Sequence, residues 1–292
     1  MLKLHQAPTR QESFMLSSNL LRIAITVIAS LGLAPLLSAD QTGVNGGVIA
    51  VKLPHGATEA EFNDENQLII RGHAIVAIPH EAEAEKHKLI VSFEDGSFQA
   101  IDFEVQSKEY EEQHITIENQ DYVTPPEETI KRRQEEAAMM RKAYARRSSA
   151  IDDILPIVVP VEGQITGVFG TKRFFNGEQR NYHTGVDYAA PTGTPIAAPA
   201  PGTVVVTHDM YFNGKTVVID HGAGFVSVLC HLDTIKVTVD SKVKRGDIVG
   251  TVGSTGRSTG PHLHWTIALQ GTKIDPQVFM EVVNELESNS GE

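Results

Sequence analysis

The chain has 292 residues, 41% of them hydrophobic, a single cysteine and a formal net charge of −12. The length allows two domains of ordinary size, and the apolar fraction is that of a globular protein. One cysteine excludes an intramolecular disulfide and argues against a cysteine-based zinc site, and the acidic balance argues against nucleic acid as a partner.

The charge is unevenly spread. Residues 40–125 hold 17 acidic and 5 basic side chains, whereas residues 156–280 hold 9 and 10. The second half can face an anionic substrate that the first half would repel; acidic residues also simply solvate an exported domain.

In chain order, Lys3, Arg10 and Arg22 precede the apolar run IAITVIASLGLAPLL at 23–37, followed by Ser38 and Ala39. A basic stretch, a short apolar run and a small residue behind it predict a cleaved signal peptide over 1–39. The run falls short of the roughly 20 residues of a membrane span. The expected mature protein is exported, periplasmic, and without a membrane span after cleavage.

Residues 40–124 predict a small β-sandwich. GGVIAVKL and NQLIIRGHAIVAIP are rich in Val and Ile, and HKLIVSF, EDGS, FQAIDFEV reads as a hairpin turning at Asp95-Gly96. His55, His73, His80, His87 and His114 lie scattered among acidic residues at no ligand spacing, and read as surface histidines. Residues 125–153 change character: EETIKRRQEEAAMMRKAYARRSS has no Gly or Pro and carries acids early and bases late, which suits a helix dipole. Glutamates among the arginines favour a solvated linker helix over a nucleic-acid contact.

From residue 154 to 280 the pattern is again β, read as an antiparallel unit, with an acidic tail at 281–292. TVVVTHDMYF, NG, KTVVID predicts a hairpin with a type I′ turn at Asn213-Gly214. Six histidines fall in this half: 183, 208, 221, 231, 262 and 264. In NYHTGVDY, His183 and Asp187 lie four positions apart, an even offset that an extended chain places on one face, and in HLHWTI the same rule puts His262, His264 and Thr266 on one face and Leu263, Trp265 and Ile267 on the other. The apolar face is a core face, and the histidine face is not. Two His and one Asp can hold zinc while leaving a position for water, the arrangement of a catalytic site. Cys230 reads as core, His208 and His221 as structural, Asp275 as a turn residue, and Arg173 and Tyr182 as candidates for substrate contact.

The segments FGTKRFFNGEQRNYHTGVDYAAPTGTPIAAPAPGTV, LCHLD and STGRSTGPHLHW, in that order, resemble the M23 family of zinc metallopeptidases, the lysostaphin-like peptidoglycan endopeptidases. The resemblance covers 156 to about 280, and the preceding β-domain and charged helix resemble the layout of exported Gram-negative members. It implies a mainly β fold with a groove over a zinc ion. It implies His183, Asp187 and His264 as zinc ligands and His231 and His262 as catalytic histidines, with the division of labour between the last two left open. The implied substrates are peptide cross-links or stems of peptidoglycan, with D-Ala–diaminopimelate as the expected bond. One alternative is a non-catalytic M23-like activator of cell-wall amidases, against which all five positions are filled. APAPGTVVV and VKRGDIVGTVG also resemble biotinyl and lipoyl carrier domains, but Lys215 at the hairpin tip lacks their setting.

Overall fold

The computed structural model describes residues 41–151 and 153–288; the expected signal segment and the last four residues lie outside them. The strands of the first half are β1 (Thr42–Val44), β2 (Val48–Lys52), β3 (Ala57–Phe62), β4 (Glu65–Asn66), β5 (Leu68–Ile70), β6 (His73–Ala77), β7 (Lys86–Phe93), β8 (Phe98–Gln106) and β9 (Glu112–Ile115). One sheet runs β1-β8-β7-β3-β4 and another β2-β6-β5. The β7–β8 hairpin turns where expected, with Gly96 at φ +79° and the Asp95 carboxylate accepting from the Ser97 amide. The two sheets close over Ile49, Val51, Val76, Leu89, Val91 and Phe103, the expected sandwich.

The β2-β6-β5 sheet is apolar on both faces, which is why HAIVAI reads as a continuous run rather than an alternation. Its second face carries Val48, Leu68, Ile70 and Ile75, and these join Leu155, Phe279 and Val283 in the core of the second half.

The helix expected between the two β halves is present and mostly solvent-facing, and one narrow side of it docks on the second half. After a 3₁₀ turn at Glu127–Thr129 comes α1 (Ile130–Tyr144). Met139, Met140, Ala143 and Tyr144 of this helix pack on Val206, Met210, Val226 and Val228 of the following sheet. Glu136 is buried, accepts from the Tyr211 amide at 2.9 Å and from Arg132 Nε at 2.7 Å, and so pins the helix by its polar side as well. Beyond the helix, Arg146 and Ser148 both donate to the buried Asp220 carboxylate.

The second half comprises β10 (Gln164–Gly167), β11 (Lys172–Phe175), β12 (Glu178–Gln179), β13 (Val186–Ala189), β14 (Pro195–Ala197), β15 (Gly202–Met210), β16 (Gly214–Asp220), β17 (Phe225–Ile235), β18 (Lys242–Val243), β19 (Ile248–Val252), β20 (His262–Leu269) and β21 (Thr272–Ile274). The main sheet runs β10-β13-β20-β17-β16-β15-β18. Leu263, Trp265 and Ile267 on β20 are fully buried in its core face, as alternation requires. The opposite face holds the histidines at one end and is covered by α1 further along.

Residues 281–288, expected as part of an acidic tail, are the second half of α2 (Pro276–Ser288). Asp275, expected in a turn, accepts from the Gln277 amide at the helix start, and Phe279 and Val283, one helical turn apart, are fully buried. Each such side chain contributes roughly 1.5–3 kcal/mol on burial, more than enough to hold a short helix in place.

Candidate active site

The β13–β20 register sets Asp187 directly opposite His264. His183 precedes β13 and folds back towards the same spot. Gly185 permits this: a Cβ there would sit 2.2 Å from the Trp265 carbonyl oxygen, so only glycine lets the chain cross β20 that closely. The His183 backbone is held by Thr171 and Gly170, whose carbonyl and amide it meets at 2.8 Å each.

Three ligand atoms converge here. His183 Nε2 lies 3.0 Å from Asp187 Oδ1 and 2.9 Å from His264 Nδ1, and His264 Nδ1 lies 2.8 Å from Asp187 Oδ1. The far nitrogens are occupied: His183 Nδ1 donates to the Val168 carbonyl at 2.8 Å, and His264 Nε2 meets the Thr266 hydroxyl at 2.9 Å. With their protons directed outward, both imidazoles turn a lone pair towards a carboxylate oxygen. Three lone pairs within about 3 Å repel one another unless a cation lies between them, so the donor chemistry fits a divalent metal held by N and O ligands. Among the described residues this is the one set of His, Cys and acidic side chains close enough to share an ion.

The protonation states agree. Burial alone would raise the Asp187 carboxyl, but the His183 and His264 ring nitrogens against it outweigh burial and hold it well below the usual carboxylate range. Burial pushes His264 down to about 4, against the pull of Asp187. An ionised Asp187 beside a neutral His264 is the state that binds a metal without first losing a proton. Arg173 grips the other Asp187 oxygen, Oδ2, at 2.6 Å, leaving Oδ1 to the triangle.

His231 and His262 flank the triangle, their rings 4.7 Å apart, with His231 6.1 Å from the His264 ring. His262 is at alternating distance from His264 on β20, as expected. His231 reaches the same face by a different route. A regular strand would aim it into the core, opposite to Cys230. Instead β17 bulges: Leu229 pairs with Val217 and Leu232 with Lys215, one residue too many on β17, and His231 takes φ +64°. Leu229 and Leu232 both stay in the core, while Cys230 lies beneath α1. Each histidine donates its Nδ1 proton to a backbone carbonyl at 2.8 Å, His231 to Thr255 and His262 to Gly260, leaving Nε2 for the groove. Burial, then the neighbouring His262 and His264, hold His231 down to about 3.

The five residues lie along an open groove of about 1330 Å³. One of its walls is the segment 113–117, brought in by β9, which pairs in parallel with β11. Arg173 and Tyr182 both line the groove, but each is already engaged. Arg173 holds Asp187, and Tyr182 stacks on His80 with ring centroids 3.8 Å apart. His80 is therefore no surface histidine: it is sandwiched between Tyr182 and Tyr110, and its Nε2 is buried with no partner. No local signal marked it, because its partners lie far away in sequence. His221, buried against Phe225, donates Nδ1 to the Pro201 carbonyl, and His208 sits on β15; neither joins the site.

The loop 253–261 ties the site together. Thr255 Oγ1 accepts from the Lys215 amide at 2.9 Å and donates to the Leu232 carbonyl at 2.8 Å. Gly214 belongs to β16 rather than to a two-residue type I′ turn, and the hairpin closes through Tyr211–Asn213. Gly214 stands at φ +62°, and a Cβ on it would meet Thr255 at 2.3 Å. The glycine is needed for the docking of this loop.

Comparison with known proteins follows the same residues. Residues 181–276 match Peptidase family M23. The chain is 42% identical over 94 residues to the DD-carboxypeptidase/endopeptidase Mpg of Neisseria meningitidis serogroup B, covering 32% of this chain and 22% of that protein. It is 41% identical over 93 residues to the peptidoglycan DD-endopeptidase ShyA of Vibrio cholerae, again covering 32% of this chain and 22% of the relative. The chain thus spans less than a quarter of either curated relative. A solved structure from Pseudomonas aeruginosa, assigned to peptidase M23, superposes with a TM-score of 0.68 at 35% identity, over 82% of this chain and 95% of the other. With likeness reaching across both halves of the fold, and the matched segment holding the triangle and both flanking histidines, this chain belongs to peptidase family M23.

Proposed function

We propose that this protein is a zinc-dependent endopeptidase that hydrolyses peptide bonds in peptidoglycan cross-links or stems, with D-Ala–diaminopimelate as the bond cut. The observation that carries this reading is the triangle of Nε2, Oδ1 and Nδ1 atoms, flanked in an open groove by two imidazoles with free Nε2 atoms. His183, Asp187 and His264 would hold the ion. Zinc, when bound, supplies Lewis acidity at the scissile carbonyl.

The rest is the work of side chains. Val168 and Thr266 fix the ligand tautomers, and Arg173 keeps Asp187 on a single oxygen. Of His231 and His262, one accepts the proton of the attacking water at Nε2 and returns it to the leaving amine, and the other, protonated at Nε2 as well as Nδ1, donates to the oxyanion. Their hydrogen bonds to Thr255 and Gly260 fix the Nδ1 side of both rings.

The organisation we propose is a signal segment at 1–39, a β-domain at 40–124, a helical segment at 125–153 and the peptidase sheet from 154, in an exported, periplasmic protein. Peptidoglycan peptides are its partners, with no nucleic acid. The Vibrio cholerae relative is named a DD-endopeptidase, and filled positions at all five site residues favour catalysis over amidase activation.

The test is metal analysis of the purified protein beside mass spectrometry of muropeptides after incubation with sacculi. One equivalent of zinc and conversion of cross-linked dimers to monomers is the expected result. Bound zinc with intact dimers sinks the peptidoglycan reading.

A further inference from the structure

Arg257 lies on the loop that positions both flanking histidines, between Thr255, which accepts from His231, and Ser258, whose hydroxyl lies 3.2 Å from His262 Nδ1. Its guanidinium is clamped between two aromatic rings from different elements, Phe175 on β11 at 4.5 Å and Phe212 of the β15–β16 connection at 4.7 Å. Its amide donates to the Phe212 carbonyl, and Gly256 brings the loop so close to Gly214 that a Cβ would sit 2.3 Å from the Gly214 amide nitrogen. The guanidinium is thus half-buried, rigidly held, and part of the groove lining.

What it lacks is an anion. Arg173 is paired with Asp187 and Arg180 with Glu178, but Arg257 has no ion pair and no side-chain hydrogen bond among the described residues. Its nearest charged neighbours include those same two arginines, which disfavour its charge further. Stacking on the rings offsets part of the cost of desolvating a cation, but no carboxylate compensates the rest. A planar fork of N–H donors, fixed beside a catalytic site and unpaired, suits a carboxylate bound through two parallel hydrogen bonds.

We propose that Arg257 is a specificity residue that binds a free carboxylate of the peptide substrate, next to the bond being cut. The inference rests on the endopeptidase reading and adds the substrate's charge to it. Diaminopimelate carries such a carboxylate beside its cross-linking amine, and amidation of that group removes it. No covalent step involves Arg257.

The experiment compares the zinc-loaded full chain on two substrates: a cross-linked muropeptide dimer with free carboxylates, and the same dimer with those carboxylates converted to amides. Wild type should favour the free acid by about 10- to 100-fold in kcat/KM, the scale of a hydrogen bond to a charged group. In Arg257→Met, which keeps bulk between the rings, that ratio should fall to near 1. In Arg257→Lys, which keeps the charge but loses the fork, it should be intermediate. A purely structural role for Arg257 lowers both rates together and leaves the ratio alone, and that result overturns the proposal, as does a wild-type ratio near 1. If wild type cleaves neither dimer, the endopeptidase reading fails by itself. Calorimetric binding of the two dimers then decides for Arg257: a preference for the free acid that Arg257→Met abolishes supports the carboxylate site, and equal binding overturns it.

Discussion

His80 and Tyr182 stack face to face, centroids 3.8 Å apart and planes 5° from parallel, which couples the first half of the chain to the residue before His183. Phe169 meets both rings edge-on. His80→Ala should therefore cost about 1–3 kcal/mol, from lost packing and stacking. His80→Phe keeps the stack and removes a buried nitrogen that has no partner, so it should be neutral or stabilising. Urea denaturation of both variants checks the pair; equal destabilisation would falsify the stacking account.

The triangle and its flanking histidines predict separable phenotypes. His264→Ala leaves two ligands, so zinc content and cleavage should fall together. His231→Ala and His262→Ala keep the triangle and should retain zinc while losing about 10²- to 10⁴-fold in rate. Metal analysis and a dimer-cleavage assay on all three variants separate these outcomes. Loss of zinc in His262→Ala with retention in His264→Ala would reverse the assignment within HLH.

Arg173 acts one step further out. Arg173→Leu frees Asp187 Oδ2 and lets the carboxylate rotate, so zinc affinity should weaken by about 10- to 100-fold. Competition with a chelator of known affinity measures this. An unchanged affinity would overturn this role for Arg173.

Much of this site was legible because it obeys a period of two. His262, His264 and Thr266 share a face, and Trp265 opposite them is fully buried, as simple alternation demands. His231 could be named only through resemblance, because a bulge, invisible in LCHLD, turns it to the site face. The Asn213-Gly214 pair was misread for a related reason: the glycine answers to Thr255, more than forty positions downstream, and a turn rule sees neighbours alone. α1 is largely solvent-facing, as its long charged side chains suggest, and its docked side was hard to see because the inward residues are few: Met139, Met140, Ala143 and Tyr144.

Acid should act on the anchor behind that helix. Burial would raise the Asp220 carboxyl, but hydrogen bonds from Arg146, the Gly222 amide and Ser148 outweigh it and hold it below its ordinary value. A depressed folded pKa contributes stability above the unfolded carboxylate value of about 3.9, and that stability is lost as pH falls through the folded value. Asp220→Asn should thus cost about 1–3 kcal/mol at pH 7 and less in acid. Urea unfolding of both proteins from pH 7 to pH 3 reads this directly: the two curves should converge at the acid end.

The docked helix and the β9 wall bear on where the chain can be cut. The family match starts at residue 181, yet α1 covers Val206, Val226, Val228 and Cys230 on the sheet face that bears the histidines. A fragment beginning at residue 154 would bare that apolar strip and take away one side of the groove. Sequence boundaries and folding boundaries do not coincide in this protein. A fragment beginning upstream of β9 keeps both the helix and that wall, and shorter fragments should be less soluble.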